Sequence, residues 1–177
     1  MLTKSISKTL LGVSRCVVED LYLSDDGSLV ARLRLHRKER QRCGICGRRC
    51  PRYDQGEGRR RWRGMDWGIV RVYLEAEAPR VTCPQHGVVV ARVPWARHGS
   101  WFTVAFEDQV AWQVVQCSKV AVSKLMRIAW ESVSGIAQRV VAQGQAARDP
   151  FAGLRRLGID DSEMNEDKRA CSHSPSE

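Results

Sequence analysis

A chain of 177 residues, 43% hydrophobic and 28% charged, has enough apolar side chain for one ordinary domain or two to three small ones, which excludes a chain disordered throughout. Its net charge of +9 is concentrated, because residues 32–63 carry thirteen Lys/Arg against three Asp/Glu. That density suits a phosphate-rich partner, the plainer alternative being a solvated basic face. Seven cysteines, two of them in a C-x-x-C pair, argue against a secreted disulfide framework and for thiolate ligands in a reducing compartment. No apolar run approaches the ~20 residues of a membrane helix, and residues 1–11 lack a cleavage pattern, so the expected setting is cytoplasmic, away from membranes.

Residues 17–23 and 29–36 flank Asp25-Asp26-Gly27-Ser28. Leu29, Ala31, Leu33 and Leu35 alternate with Val30, Arg32, Arg34 and His36, and period-two alternation around a D-G turn predicts a β-hairpin. A Gly/Arg-rich segment follows, and Val70, Val72, Leu74, Ala76 and Ala78 then predict another strand. The first hundred residues therefore read as small antiparallel β structure, with residues 15–98 forming a hairpin and ribbon.

After Pro94-Trp95 the period changes. Val104, Val110, Val114 and Val115 recur at helical spacing, with Phe106 and Trp112 widening the stripe and Thr103 as N-cap. Helices over about 118–126 and 131–143 follow, the last ending at Gly144. A tight connection at residues 127–130 makes residues 101–144 a helix-turn-helix unit. Residues 154–161 contain a short apolar strand-like run, and residues 162–177 have the composition of a disordered tail. The fold class is α+β.

Cys43-Gly44-Ile45-Cys46-Gly47 and Cys83-Pro84-Gln85-His86-Gly87 each hold two ligand-type residues across a two-residue gap, with 36 residues between the pairs. Zinc takes four soft or borderline ligands in a tetrahedron, and each turn supplies two. A redox pair needs a thioredoxin-like βαβ setting, which the pattern lacks. The metal is thus expected to be structural, on Cys43, Cys46, Cys83 and His86, with Cys50 as a competing ligand. Cys16 and Cys117 read as small core residues. For nucleic acid, Lys119 and Lys124 fall on the first helix of the pair, and Ser132, Ser134, Gln138 and Arg139 on the second. The serines and Gln138 are the base-reading candidates, because the second helix of such a unit enters the major groove. Arg59, Arg60, Arg61 and Arg63, interleaved with Trp62, are the candidate phosphate contacts. Ordinary solvated polar positions are the competing explanation for all of these.

Several segments in order carry a wider likeness. They are C-G-I-C-G at 43–47, R-W-R-G-M-D at 61–66, V-Y-L-E at 72–75 and R-V-T-C-P-Q-H-G at 80–87. V-P-W-A at 93–96, W-F-T-V-A-F-E at 101–107, A-W-E-S-V at 129–133 and L-R-R-L-G-I-D at 154–160 continue the series. Over about residues 15–161 this string resembles the N-terminal half of transposases of the ISL-three insertion-sequence family. The resemblance implies a zinc ribbon, a helix-turn-helix and then an RNase H-like catalytic domain, whose acidic triad binds two metal ions. It matches Asp160 to the first triad acid, whereas Asp161 stands where the family usually has Glu. After Asp161 the chain departs from the family and runs into polar sequence with no counterpart for the other two acids.

The expectation is a truncated transposase that binds double-stranded DNA at terminal inverted repeats. It would not cut DNA alone, and magnesium would serve only the full-length family. Homo-oligomers or mixed oligomers with a full-length transposase are expected partners. A regulator or inhibitor of that transposase, or a zinc-ribbon protein-interaction module, are the alternatives.

Overall fold

The structure, a computed structural model, describes residues 8–147. The Asp160 position, the strand remnant at 154–161 and the tail at 162–177 lie outside the described residues.

Strands β1 (Cys16–Leu23) and β2 (Leu29–Leu35) form the expected antiparallel hairpin, from Cys16 opposite Leu35 to Leu23 opposite Leu29. Asp26 closes its turn by accepting hydrogen bonds from the Ser28 amide (3.0 Å) and hydroxyl (2.6 Å). Short strands β3 (Arg52–Asp54) and β4 (Arg59–Arg63) come next, then β5 (Val72–Glu77), β6 (Arg80–Cys83) and β7 (Gly87–Val90). Two sheets result, ordered β1-β2-β5-β4 and β3-β6-β7.

One pairing departs from the antiparallel expectation. β5 lies parallel to β2, with Leu29 opposite Val72 and Arg32 opposite Glu75. The ribbon segment between them takes the chain out and back, and parallel neighbours need such a long crossover. The larger sheet packs Val18, Ala31, Leu33, Trp62, Leu74, Ala76 and Trp95 into its core. Trp62 and Trp95 meet edge to face at 5.7 Å.

Helices α1 (Val104–Gln116), α2 (Lys119–Met126) and α3 (Trp130–Ala147) follow. Thr103 Oγ1 accepts from the Phe106 amide and Ser118 Oγ from the Ala121 amide, so two side chains satisfy amides that a helix start leaves orphaned. Phe106, Val110, Val122, Met126, Val133 and Ile136 form the helical core. The predicted α1 stripe is too wide, because Trp112 and Val115 are exposed (63% and 79%). Cys117, expected in a core, is the exposed C-cap of α1; Cys16 is buried as expected, which pushes its thiol pKa up. Gly144 does not end the last helix, which continues to Ala147. Among the described residues, no helix is long and apolar enough to cross a membrane.

Candidate metal centre and nucleic-acid interface

The first ligand turn is closed by Cys43 N–H to the Arg48 carbonyl (2.8 Å) and Gly47 N–H to the Cys43 carbonyl (3.0 Å). The second is the β6–β7 turn, where Cys83 pairs with Gly87. Gly47 and Gly87 both have positive φ (70° and 66°), a conformation that costs glycine nothing. A bridge between Cys43 and Ala91 and a hydrogen bond from Arg92 N–H to the Arg42 carbonyl (2.8 Å) hold the two turns together. Gly44 is fixed by crowding: a Cβ there would lie 2.4 Å from His98 Nδ1 and 2.5 Å from the Val90 carbonyl oxygen.

The ligand atoms of Cys43, Cys46, Cys83 and His86 all lie within 4.8 Å of one another. Cys46 and Cys83 Sγ are 3.7 Å apart, and His86 Nδ1 is 3.4 Å from Cys83 Sγ and 3.7 Å from Cys43 Sγ. Zn–S bonds of ~2.3 Å and a Zn–N bond of ~2.0 Å put tetrahedral ligands roughly 3.5–3.8 Å apart, so the spacings and the donor set both suit zinc. Protein groups fill all four corners, which is the pattern of a structural rather than a catalytic site.

Cys83 is poised as a thiolate. The Gln85 amide, followed by the His86 side chain and amide, outweighs burial and pulls its pKa down to about 6. At Cys46 the Arg48 amide pulls downward, but burial and the neighbouring thiols Cys43 and Cys83 together raise it. Cys50 stands outside the four-atom set. It is buried with Cys43, Val81, Cys83 and Ala91, and burial is the main cause of its raised pKa.

The helix-turn-helix connection rests on Arg127, which adopts the left-handed conformation (φ 54°, ψ 46°). The Ile128 amide then returns to the Ser123 carbonyl (3.1 Å), and the Ser123 hydroxyl donates to the Ile128 carbonyl (2.7 Å). The Arg127 guanidinium reaches back to the β4–β5 loop, pairing with Asp66 and donating to the Ile69 carbonyl (2.7 Å). Asp66 is also paired with Arg63; burial works to raise its pKa, but Arg63 and Arg127 prevail and lower it.

The predicted nucleic-acid residues separate into exposed and more engaged groups, with the exposed Lys119 ammonium 5.7 Å from the Trp130 ring centroid. Lys119, Lys124 and Gln138 are exposed, and Ser132 and Ser134 are half-buried. Val133 and Ile136 face the core, so Ser134 and Gln138, four residues apart, share the opposite side of α3. Arg59 and Arg61 pair with Glu75 (3.3 and 3.0 Å), as does Arg32 (3.2 Å), and about half of the Arg59 and Arg61 side chains stays exposed. The Arg60 guanidinium lies 3.8 Å from the Trp101 ring centroid and donates to the Ser100 carbonyl (2.9 Å). Arg63 is buried, donating to the Gly64 carbonyl (3.1 Å).

Arg139 is drawn inward by a residue that sequence pattern did not single out. Glu107 is fully buried and accepts from Arg139 (2.8 Å), Arg97 (3.0 Å) and Ser100 (2.7 Å). It joins the loop before α1 to α1 and α3. An acidic residue in a first helical turn ordinarily serves the helix dipole, so nothing local marked Glu107 as a buried anchor. Glu75 was hidden differently, since its three arginine partners are distant in sequence, and Asp66 has one near partner, Arg63, and one distant, Arg127.

Comparison with known proteins follows the same division. Residues 39–86 match the family model described as the zinc-finger of transposase IS204/IS1001/IS1096/IS1165. Residues 91–141 match the helix-turn-helix domain of transposase family ISL3. Two curated proteins named as the transposase for insertion sequence element IS1557 come from Mycobacterium tuberculosis, strains CDC 1551 / Oshkosh and ATCC 25618 / H37Rv. Each is 51% identical over 160 residues, covering 87% of this chain and 36% of the relative. The chain therefore spans about a third of the length of these relatives. No solved structure matches the chain.

Proposed function

For a chain that carries the zinc-finger and helix-turn-helix modules of ISL3-type transposases, we propose a role in transposition: reading duplex DNA at the terminal inverted repeats of an insertion sequence. The observation that carries this is α3, whose outward side presents Ser134 and Gln138 while its start is held to the β4–β5 loop through Arg127 and Asp66. Ser132, Ser134 and Gln138 read base edges, and Lys119, Lys124 and the exposed parts of Arg59, Arg60 and Arg61 grip phosphates. Arg63 and Arg139 act as positioning residues. Zinc on Cys43, Cys46, Cys83 and His86 is structural, and Asp160 and magnesium have no part in recognition.

The test is selection of bound duplexes from a random-sequence pool, followed by titration of the winner and a scrambled control at physiological salt. A selected sequence bound well above its scramble supports the proposal, and S134A/Q138A is expected to flatten that preference. Equal affinity for both duplexes would sink it. Omitting magnesium is expected to leave binding unchanged.

Exposed Trp112, Val115 and Val120 favour a second element of the proposal, pairing with another copy or with a longer transposase chain. Sedimentation of the wild type and of W112S/V115S distinguishes a self-associating chain from a monomer.

A further inference from the structure

A cleft of about 650 Å³ lies outside α3 and its turn. Six arginines line it: Arg34, Arg37, Arg40, Arg49, Arg52 and Arg59, all exposed. They come from β2, the segment after it, the first ligand turn, β3 and β4, so the fold gathers charge that is dispersed along the chain. Against them stand two acids, Glu19 and Glu77. Glu19 is occupied by Arg34 at 2.6 Å. Arg40 spends its Nε on the Leu35 carbonyl (3.2 Å) and is exposed. Arg37 and Arg49 have no ion-pair partner among the described residues.

We propose that this cleft is a phosphate-backbone clamp for duplex DNA, gripping the strand beside the stretch read by α3. It rests on the DNA-reading proposal and adds a second, sequence-independent contact. Arginine forks suit phosphate oxygens, and among the other lining residues Leu33, Leu35, Ala76, Pro79 and Ala91 are apolar, which leaves Gln41 as the one amide side chain against six guanidinium groups. Its lining contains no aromatic side chain on which a base could stack, which sets it apart from single-strand grooves. The partner is therefore backbone in a duplex, bound through charge.

The experiment compares wild type, R37A/R49A, R37K/R49K and E77K on duplexes of about 30 base pairs, selected and scrambled, and on one strand alone. Bound zinc and circular dichroism serve as controls for folding. R37A/R49A is expected to bind both duplexes about tenfold more weakly and to lower the slope of log affinity against log salt by about 2, at ~0.9 per phosphate contact. The ratio between selected and scrambled duplex stays as in wild type, and R37K/R49K recovers most of the affinity. E77K, which adds charge instead of removing it, steepens the slope by about 1. Wild-type affinity and slope in R37A/R49A, with no gain in E77K, would overturn the clamp, as would tighter binding to the single strand. A selective wild type with an indifferent cleft leaves the recognition proposal standing. A cleft-dependent but unselective wild type removes recognition and keeps the clamp.

Discussion

Around the metal centre the buried cluster is Cys43, Cys50, Val81, Cys83 and Ala91, whereas the three helices bury Phe106, Val110, Val122, Met126, Val133 and Ile136. Each large aliphatic or aromatic side chain taken fully out of water contributes about 1.5–3 kcal/mol, and the helical cluster is made of little else. The ribbon has mostly thiols, one alanine and one valine. With zinc on its four candidate ligands as proposed, most of its folding free energy would come from the metal, at an apparent ~10–16 kcal/mol. Two neighbouring segments of one chain thus solve the small-domain problem in opposite ways.

Removing the metal should give the largest effect. With chelator, the amides of Val81, Thr82, Cys83 and Val89 are expected to exchange freely with solvent, while those of Val110, Val122 and Ile136 stay protected. C83S should behave the same way without chelator. Hydrogen exchange that rises equally in both regions would show that the helices also depend on zinc, and the contrast would fail.

The helical unit has its own point of failure at Glu107. Glu107→Ala takes the shared carboxylate from Arg139 and from Arg97 (13% exposed), which keeps its pair with Asp108 (2.6 Å). Breaking a buried charge cluster on one side costs about 3–5 kcal/mol. Urea unfolding of the helices should shift by that much while bound zinc stays unchanged. A shift below about 1 kcal/mol would mean that water replaces the carboxylate, at the cost assigned to surface pairs.

Acid should separate the regions differently. Burial works to raise the Glu75 pKa, but Arg61, Arg32 and Arg59 prevail and hold it below the ordinary carboxylate value. A depressed folded-state pKa means that its contribution is present above the unfolded value, about 4.3, and is lost as pH falls through the folded one. The four-stranded sheet is therefore expected to lose stability below about pH 4. E75Q should be less stable at neutral pH and show a flatter acid limb, measured by tryptophan fluorescence of Trp62 and Trp95. An unchanged acid limb would remove Glu75 as its source.

What was legible in the sequence follows the range of the interactions. The four candidate ligands could be brought together on paper because zinc demands short gaps within each turn, and the cap at Thr103 is a local device. The β2–β5 parallel pairing was missed because its partners, such as Arg32 and Glu75, are joined only through the ribbon. The same distance hid Glu75 as the collector of three arginines, so Arg59 and Arg61 looked freer than they are. Arg63 looked like a phosphate contact by company alone; strand alternation puts it on the face of Arg59 and Arg61, but Asp66 and the Phe106 ring over which it lies keep it buried. Helical periodicity placed Val115 and Trp112 in a core, but α1 meets its partners over a narrow face and leaves both outside.

The smallest expected effect lies at Arg127, where the helical unit meets the β4–β5 loop of the four-stranded sheet. Its left-handed backbone costs a non-glycine residue roughly 1–2 kcal/mol, and its side chain returns an ion pair with Asp66 and a hydrogen bond to the Ile69 carbonyl. Arg127 and Asp66 are both partly solvent-exposed, so the pair is worth about 1 kcal/mol or less. R127A keeps the strain and loses the contacts, whereas R127G loses both. R127G should therefore be more stable than R127A by about 1 kcal/mol and close to wild type in thermal unfolding. Both variants should lose DNA selectivity, because α3 is no longer fixed on the β4–β5 loop. If R127G instead keeps full selectivity, the connection alone orients α3 and the clasp to Asp66 only adds stability.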